Sequence, residues 1–140
     1  MQSARVKHYI ERAADFLRGA QLTGDDREYR QSSALLAIHS AISFADALRL
    51  SLGETGLASD DHSSAVRSLE QALQRSRVVS DKSIGQLKYL IGKKSAVAYN
   101  VDRLSEDDIK RIADSAQRFA YWANQVAGQL KLEGWRDATD

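Results

Sequence analysis

Proline is missing from all 140 residues. It removes a backbone donor and clashes with the preceding turn, so loop-rich and sheet-edge folds use it as punctuation while helix interiors avoid it. Its absence from a chain with 20 Lys+Arg and 19 Asp+Glu points to long helices. Cysteine is missing too. That excludes disulfides, thiolate metal sites and a cysteine nucleophile, and it fits a reducing compartment. No uninterrupted apolar stretch approaches the ~18 residues expected of a membrane span. The start, Met1-Gln2-Ser3-Ala4-Arg5-Val6-Lys7-His8, carries no apolar signal core. The expectation is a cytoplasmic protein with no membrane partner. There is no glycine-rich phosphate loop, paired-histidine metal motif or Gly-x-Ser-x-Gly elbow, so neither cofactor nor metal is expected.

What is present is helical periodicity. Val6, Ile10, Ala13, Leu17 and Ala20 recur at three- and four-residue steps, ending at Thr23-Gly24-Asp25-Asp26. A second helix is expected from about Arg27 to Leu52. Its two apolar lines, Leu35-Ile38-Ile42-Ala45-Leu48-Leu52 and Ala34-Ala37-Ala41-Phe44, cover enough circumference to place it centrally. Asp60-Asp61-His62-Ser63 reads as a helix start, with Val66, Leu69, Ala72 and Leu73 as the buried face. A short fourth helix should begin at Ser80 or Asp81, use Ile84, Leu87, Leu90 and Ile91, and weaken or end at Gly92. Ser105-Glu106-Asp107-Asp108 supplies a cap and anions for a fifth helix. Ile109, Ile112, Ala116, Phe119, Ala123, Val126 and Leu130 form its seam. The fold class is therefore all-α: one domain, an antiparallel up-and-down bundle of four to five helices over residues 3–131, with a frayed polar tail at 133–140.

The net charge of +1 is unevenly spread. Residues 1–61 hold 7 cations and 9 anions, residues 62–103 hold 8 and 3, and residues 104–140 hold 5 and 7. The middle third can present a positive surface to a polyanion. Within it, Lys93 and Lys94 are followed by Tyr99 and Arg103. Read as a basic turn between helices, these four are the leading candidates to meet a phosphate or nucleotide. Otherwise they are a solvated turn with Tyr99 half-buried.

The order of elements resembles the HEPN family of nucleotide-binding helical bundles. The resemblance rests on Tyr9, Arg12-Ala13 and Phe16 in the first helix and on the alanine-rich stretch Ala37 to Leu48. It continues with the Asp61-His62 helix start, the Lys94-to-Tyr99 segment and Arg118-Phe119-Ala120. It covers about residues 3–131 and implies a homodimer with a shared RNA cleft. It also implies a place in toxin–antitoxin or defence systems, with a nucleotidyltransferase-type partner protein. Many HEPN domains are metal-independent RNases, with an arginine followed by four to six residues and a histidine. Here Lys94 (or Lys93) and Tyr99 stand at those places. A lysine holds phosphate as a point charge without arginine's planar fork, and a phenol near pKa 10 is a poor base at neutral pH. Lys94 and Tyr99 suit binding better than cleavage.

Two further groups are candidates. His39 and Asp46 lie seven residues apart, two turns along one helix face, with Ser43 one turn from His39. They form either a cleft-lining acid–base pair or a polar contact inside the bundle. Asp60, Asp61 and His62 contain metal-ligand residue types, but consecutive side chains diverge and a capping role is the stronger reading. Trp122 beside the last seam can serve a dimer face or the core. The leading expectation is a HEPN-like nucleotide- or RNA-binding or interaction module. The alternatives are a weak metal-independent RNase using Lys94 and Tyr99, and a purely structural helical partner.

Overall fold

The computed structural model describes residues 3–54, 57, 61–99 and 104–136, except for the Tyr99 side chain. These residues form an all-α bundle: α1 (Ser3–Thr23), α2 (Arg30–Ser51), α3 (His62–Arg75), α4 (Asp81–Tyr99) and α5 (Glu106–Leu130), with a 3-10 turn at Arg27–Tyr29 ahead of α2. No strand occurs among the described residues.

The hub is α2, which packs against all four other helices. Ala34, Ala37, Ile38, Ala41, Phe44, Ala47 and Leu48 are buried around its circumference. Alanines on several sides let neighbouring backbones approach closely, and Phe44 and Leu48 fill the space between them. By length and composition the stretch Arg27–Ser51 is apolar enough to cross a membrane, contrary to the sequence expectation, but most of it is buried inside the bundle as in a core helix. The line through Ala34, Ala37, Ala41 and Phe44 is fully buried, whereas Leu35, Ile42 and Leu52 are only partly so.

The last helix follows its sequence pattern closely. Ser105 accepts from the Asp108 N–H at 3.1 Å, and the Asp108 carboxylate accepts from the Ser105 N–H at 3.4 Å, completing a capping box. Ile109, Ile112, Ala116, Phe119, Ala123 and Val126 are buried, and Ala120 and Ala127 beside them allow close approach to α2. Trp122 leans on Phe119 at 5.5 Å between ring centroids and is half-buried.

Two expectations need correction. The fourth helix is not short: it runs 19 residues, through Gly92 to Tyr99. A mid-helix glycine costs ~1 kcal/mol relative to alanine, and Val97, 3% exposed, carries the buried face of Leu87 and Leu90 one further step. Lys93 and Lys94 therefore sit on a helix and not on a turn. Nor is the tail frayed where it is described. Lys131 adopts a left-handed conformation (φ 52°) and the Leu132 N–H reaches back to the Ala127 carbonyl at 3.0 Å. The reversed chain lays Trp135 on Phe44 (6.4 Å, 23° between planes) and its indole N–H donates to Asn124 Oδ1 at 2.9 Å.

Candidate functional site

The basic pair splits. Adjacent residues on a helix point about 100° apart, and Lys93 and Lys94 go separate ways. Lys93 Nζ lies 5.8 Å from the centroid of Tyr89, one turn earlier on the same face, and the Arg111 guanidinium covers that ring at 4.3 Å. Burial pushes the Tyr89 phenol up from its usual value; Arg111 opposes this and Asp108 adds to it. Lys94 turns toward α3, where its Nζ is 3.3 Å from His62 Nε2. Arg103 lies outside the described residues, as do Asp60 and the side chain of Tyr99.

Lys94 instead joins residues read separately from the sequence. His39 projects from the middle of α2, its ring 5.9 Å from Phe16 of α1. Burial pushes the His39 imidazole below its ordinary value, and the charges of Lys94, His62 and Arg12 push it the same way. Asp46, two turns along α2, is held above the usual carboxylate range by burial; Arg49, His62 and Arg12 act against that. His39, Asp46, His62, Lys94 and Arg12 thus share one electrostatic neighbourhood, supplied by α1, α2, α3 and α4.

Behind the cluster lies a fixed ion network. Arg49 is buried, and its guanidinium donates from Nη2 to Glu54 Oε2 at 2.7 Å, from Nε to Glu54 Oε1 at 3.1 Å and from Nη1 to Asp46 Oδ1 at 3.3 Å. Ser68 of α3 also donates to Glu54. Burial works against the Glu54 carboxylate, but the Ser68 and Arg49 hydrogen bonds outweigh it and hold it below its usual range. The network ties the segment after α2 to α2 and α3 and fixes where Asp46 and the start of α3 sit.

Asp61 caps α3, accepting from the Ser64 N–H at 2.8 Å. As the next residue and first of that helix, His62 both begins α3 and enters the cluster. Sequence reasoning assigned His62 to the helix start and quoted Arg12 only for a resemblance; their place beside His39 was missed. The usable signal was α2 itself: a histidine and an aspartate on a helix apolar around most of its circumference need polar company. Among the described residues, no three His, Asp or Glu side chains are grouped to hold a metal ion.

Next to His62, a groove of about 350 Å³ runs between α3 and α4. Val66 and Ile91 are its apolar walls, with Arg67, Lys88 and Glu70 among its polar lining. A larger groove of about 540 Å³ lies elsewhere, between α1 and α5, where Ala37 of α2 and Ala113 of α5 line it and Arg30 donates to Glu106 at 2.8 Å. Comparison of the chain with models of protein families, with curated proteins and with solved structures finds no match.

Proposed function

We propose that this chain is a HEPN-like helical-bundle module that binds nucleotide or RNA through the cluster of Arg12, His39, His62 and Lys94. One observation carries the reading. Four groups able to donate to phosphate come from four different helices, with Lys94 Nζ 3.3 Å from His62 Nε2, and the Asp46 carboxylate in the same neighbourhood already accepts from Arg49. An anion entering there meets lysine and arginine charge together with imidazole donors. The toxin–antitoxin or defence setting, the nucleotidyltransferase-type partner, the cytoplasmic location and the homodimer rest on the resemblance and the composition. Light scattering at micromolar concentration tests the dimer, which requires about twice the 15.5 kDa chain mass.

The binding test uses the divergence of the two lysines. Affinity for single-stranded RNA, followed by fluorescence anisotropy, should fall as salt rises because bound cations displace counterions. Lys94→Ala should weaken binding and lower the salt slope by roughly one phosphate contact. Lys93→Ala, whose ammonium rests on Tyr89, should leave both close to wild type. Equal losses from the two substitutions, or no binding at low salt, reject the reading. The alternative nuclease reading, with Lys94 and Tyr99, predicts metal-independent RNA cleavage that Tyr99→Phe abolishes.

A further inference from the structure

α1 and α5 each pack along α2 but barely meet each other. Between them, floored by the single methyl groups of Ala37 and Ala113, runs the groove of about 540 Å³. That volume is within the ordinary range of small-ligand sites, roughly 300–1,000 Å³. Leu17 of α1 and Ile109 of α5, both buried, add to its apolar lining. Its walls are fixed at both sides. The buried Ser33 hydroxyl of α2 donates to the Ala20 carbonyl of α1 at 2.8 Å, and the capping box holds the start of α5. The mouth is charged, with Arg27 from the 3-10 turn, Arg30 from the start of α2 and Glu106 from the start of α5. Both guanidinium groups reach one atom: Glu106 Oε1 is 2.8 Å from Arg30 Nη2 and 3.5 Å from Arg27 Nη2.

Glu106 marks the chemistry this mouth accepts. A guanidinium offers five N–H donors in a planar fork matched to a carboxylate. Among the described residues, each arginine spends one nitrogen on Glu106, and both spend it on the same oxygen. The remaining N–H groups of the two forks suit a second carboxylate. The charged lining holds three cations, Arg27, Arg30 and Lys110, against two anions, Asp25 and Glu106. Its surplus of one positive charge matches a monoanion. Glu106 keeps 71% of its exposure and Arg27 84%, and exposed ion pairs of this kind add little to stability. The pairing is therefore easily exchanged. Going beyond the RNA- or nucleotide-binding reading and independent of it, we propose that this groove binds a small amphipathic carboxylate. Its carboxyl group sits on Arg30 and Arg27, and its apolar body lies along Leu17, Ala37, Ile109 and Ala113. Glu106 is the competitor built into the site: it holds the two arginines and swings to solvent when a ligand carboxylate takes them over.

Titration of the isotope-labelled full chain with octanoate, followed by NMR of backbone amides and arginine side chains, tests this. Octanol and acetate are the controls. Octanoate should move the amide signals of Ala20, Gly24, Ile109 and Ala113 and the Nε–H signal of Arg30. Octanol lacks the charge and acetate lacks the chain, so each should bind at least about tenfold more weakly. Arg30→Gln should weaken octanoate binding by about tenfold or more, and Arg27→Gln, on the exposed turn, should weaken it in the same sense. Glu106→Gln removes the competing charge and keeps the shape, so it should tighten binding roughly threefold. Ala113→Phe, at an exposed position of α5, should block the groove. Circular dichroism checks each variant for native helicity. Octanol or acetate binding as tightly as octanoate overturns the inference, as does octanoate binding unaltered in both arginine variants. Weaker binding in Glu106→Gln, shifts confined to other parts of the chain, or no shift up to millimolar octanoate overturns it too. None of these outcomes touches the RNA reading, which Lys94→Ala decides separately.

Discussion

Two sides of α2 solve opposite problems. Toward α1 and α5, the buried face is Ala34, Ala37, Ala41, Phe44 and Leu48, and the buried Ser33 hydroxyl donates to the Ala20 carbonyl of α1 at 2.8 Å. Elsewhere on its circumference the same helix carries His39, Asp46 and Arg49, and each has a partner: Phe16 of α1 beside the imidazole, Arg49 on Asp46, Glu54 on Arg49. The dry side is held by close packing and tolerates little loss of volume. The polar side is held by charge pairing, so its integrity depends on every member being present and on pH.

The largest expected effect lies on the dry side. Phe119 of α5 is fully buried, so Phe119→Ala should lower unfolding free energy by about 3–5 kcal/mol; urea unfolding giving less than ~1 kcal/mol would remove Phe119 from the core. On the polar side, Arg49→Ala strands Asp46 and Glu54 without their cation. Removing one partner from a buried pair costs about 3–5 kcal/mol, and because both carboxylates retain roughly a quarter of their exposure, a loss of about 2–3 kcal/mol is expected. Adding Glu54→Gln to Arg49→Ala should recover part of it; strictly additive losses would mean the network is not coupled.

A smaller effect is expected where the tail closes over the dry side. Trp135→Phe keeps the ring on Phe44 but deletes the hydrogen bond to Asn124, which itself donates to the Ala120 carbonyl at 2.8 Å. A loss of about 1 kcal/mol is expected from that bond, measurable as a lower thermal midpoint. The smallest effect concerns pH. The folded protein holds the His39 proton less tightly than the unfolded chain does, so between the lowered value and the ordinary 6.5 the unfolded chain binds more protons. Stability from this source is fully present above 6.5 and is lost as pH falls through that window. Asp46 acts in the opposite sense above its ordinary 3.8: the folded chain keeps that proton longer, so stability declines as pH rises through its raised value. His39→Gln should flatten the unfolding midpoint between about pH 7.5 and 5.5; an unaltered slope would show that the imidazole is not buried neutral.

The dry side was largely legible in the sequence because packing leaves a period. The α5 seam and the α3 face can be written down from spacing alone, and Ser105 and Asp61 cap the helices they announce. Two features escaped. Gly92 suggested a stop, yet a few more apolar positions outweighed one weak helix former, and that decided where Lys94 points. Trp135 stood alone in a polar tail, and only the left-handed Lys131 turn brings it back to Phe44. The polar side has no period to read. His39, Asp46 and Lys94 were selected one by one, but their meeting depends on how four helices cross, and His62 was hidden behind its part in starting α3.

Gly134 runs against the start of α1 so closely that a side chain there would stand 2.7 Å from Ser3 Cβ, and its φ of 80° already suits glycine. Entry and exit of the fold thus occupy one spot. The bundle can be spliced into a surface loop of a host protein without stretching the host, and residues 3 and 134 can be bridged by a short linker while the chain is reopened between α2 and α3. Gly134→Val would pry that junction apart and should be felt most in such a spliced or ring-closed form, where the two ends have no freedom to separate.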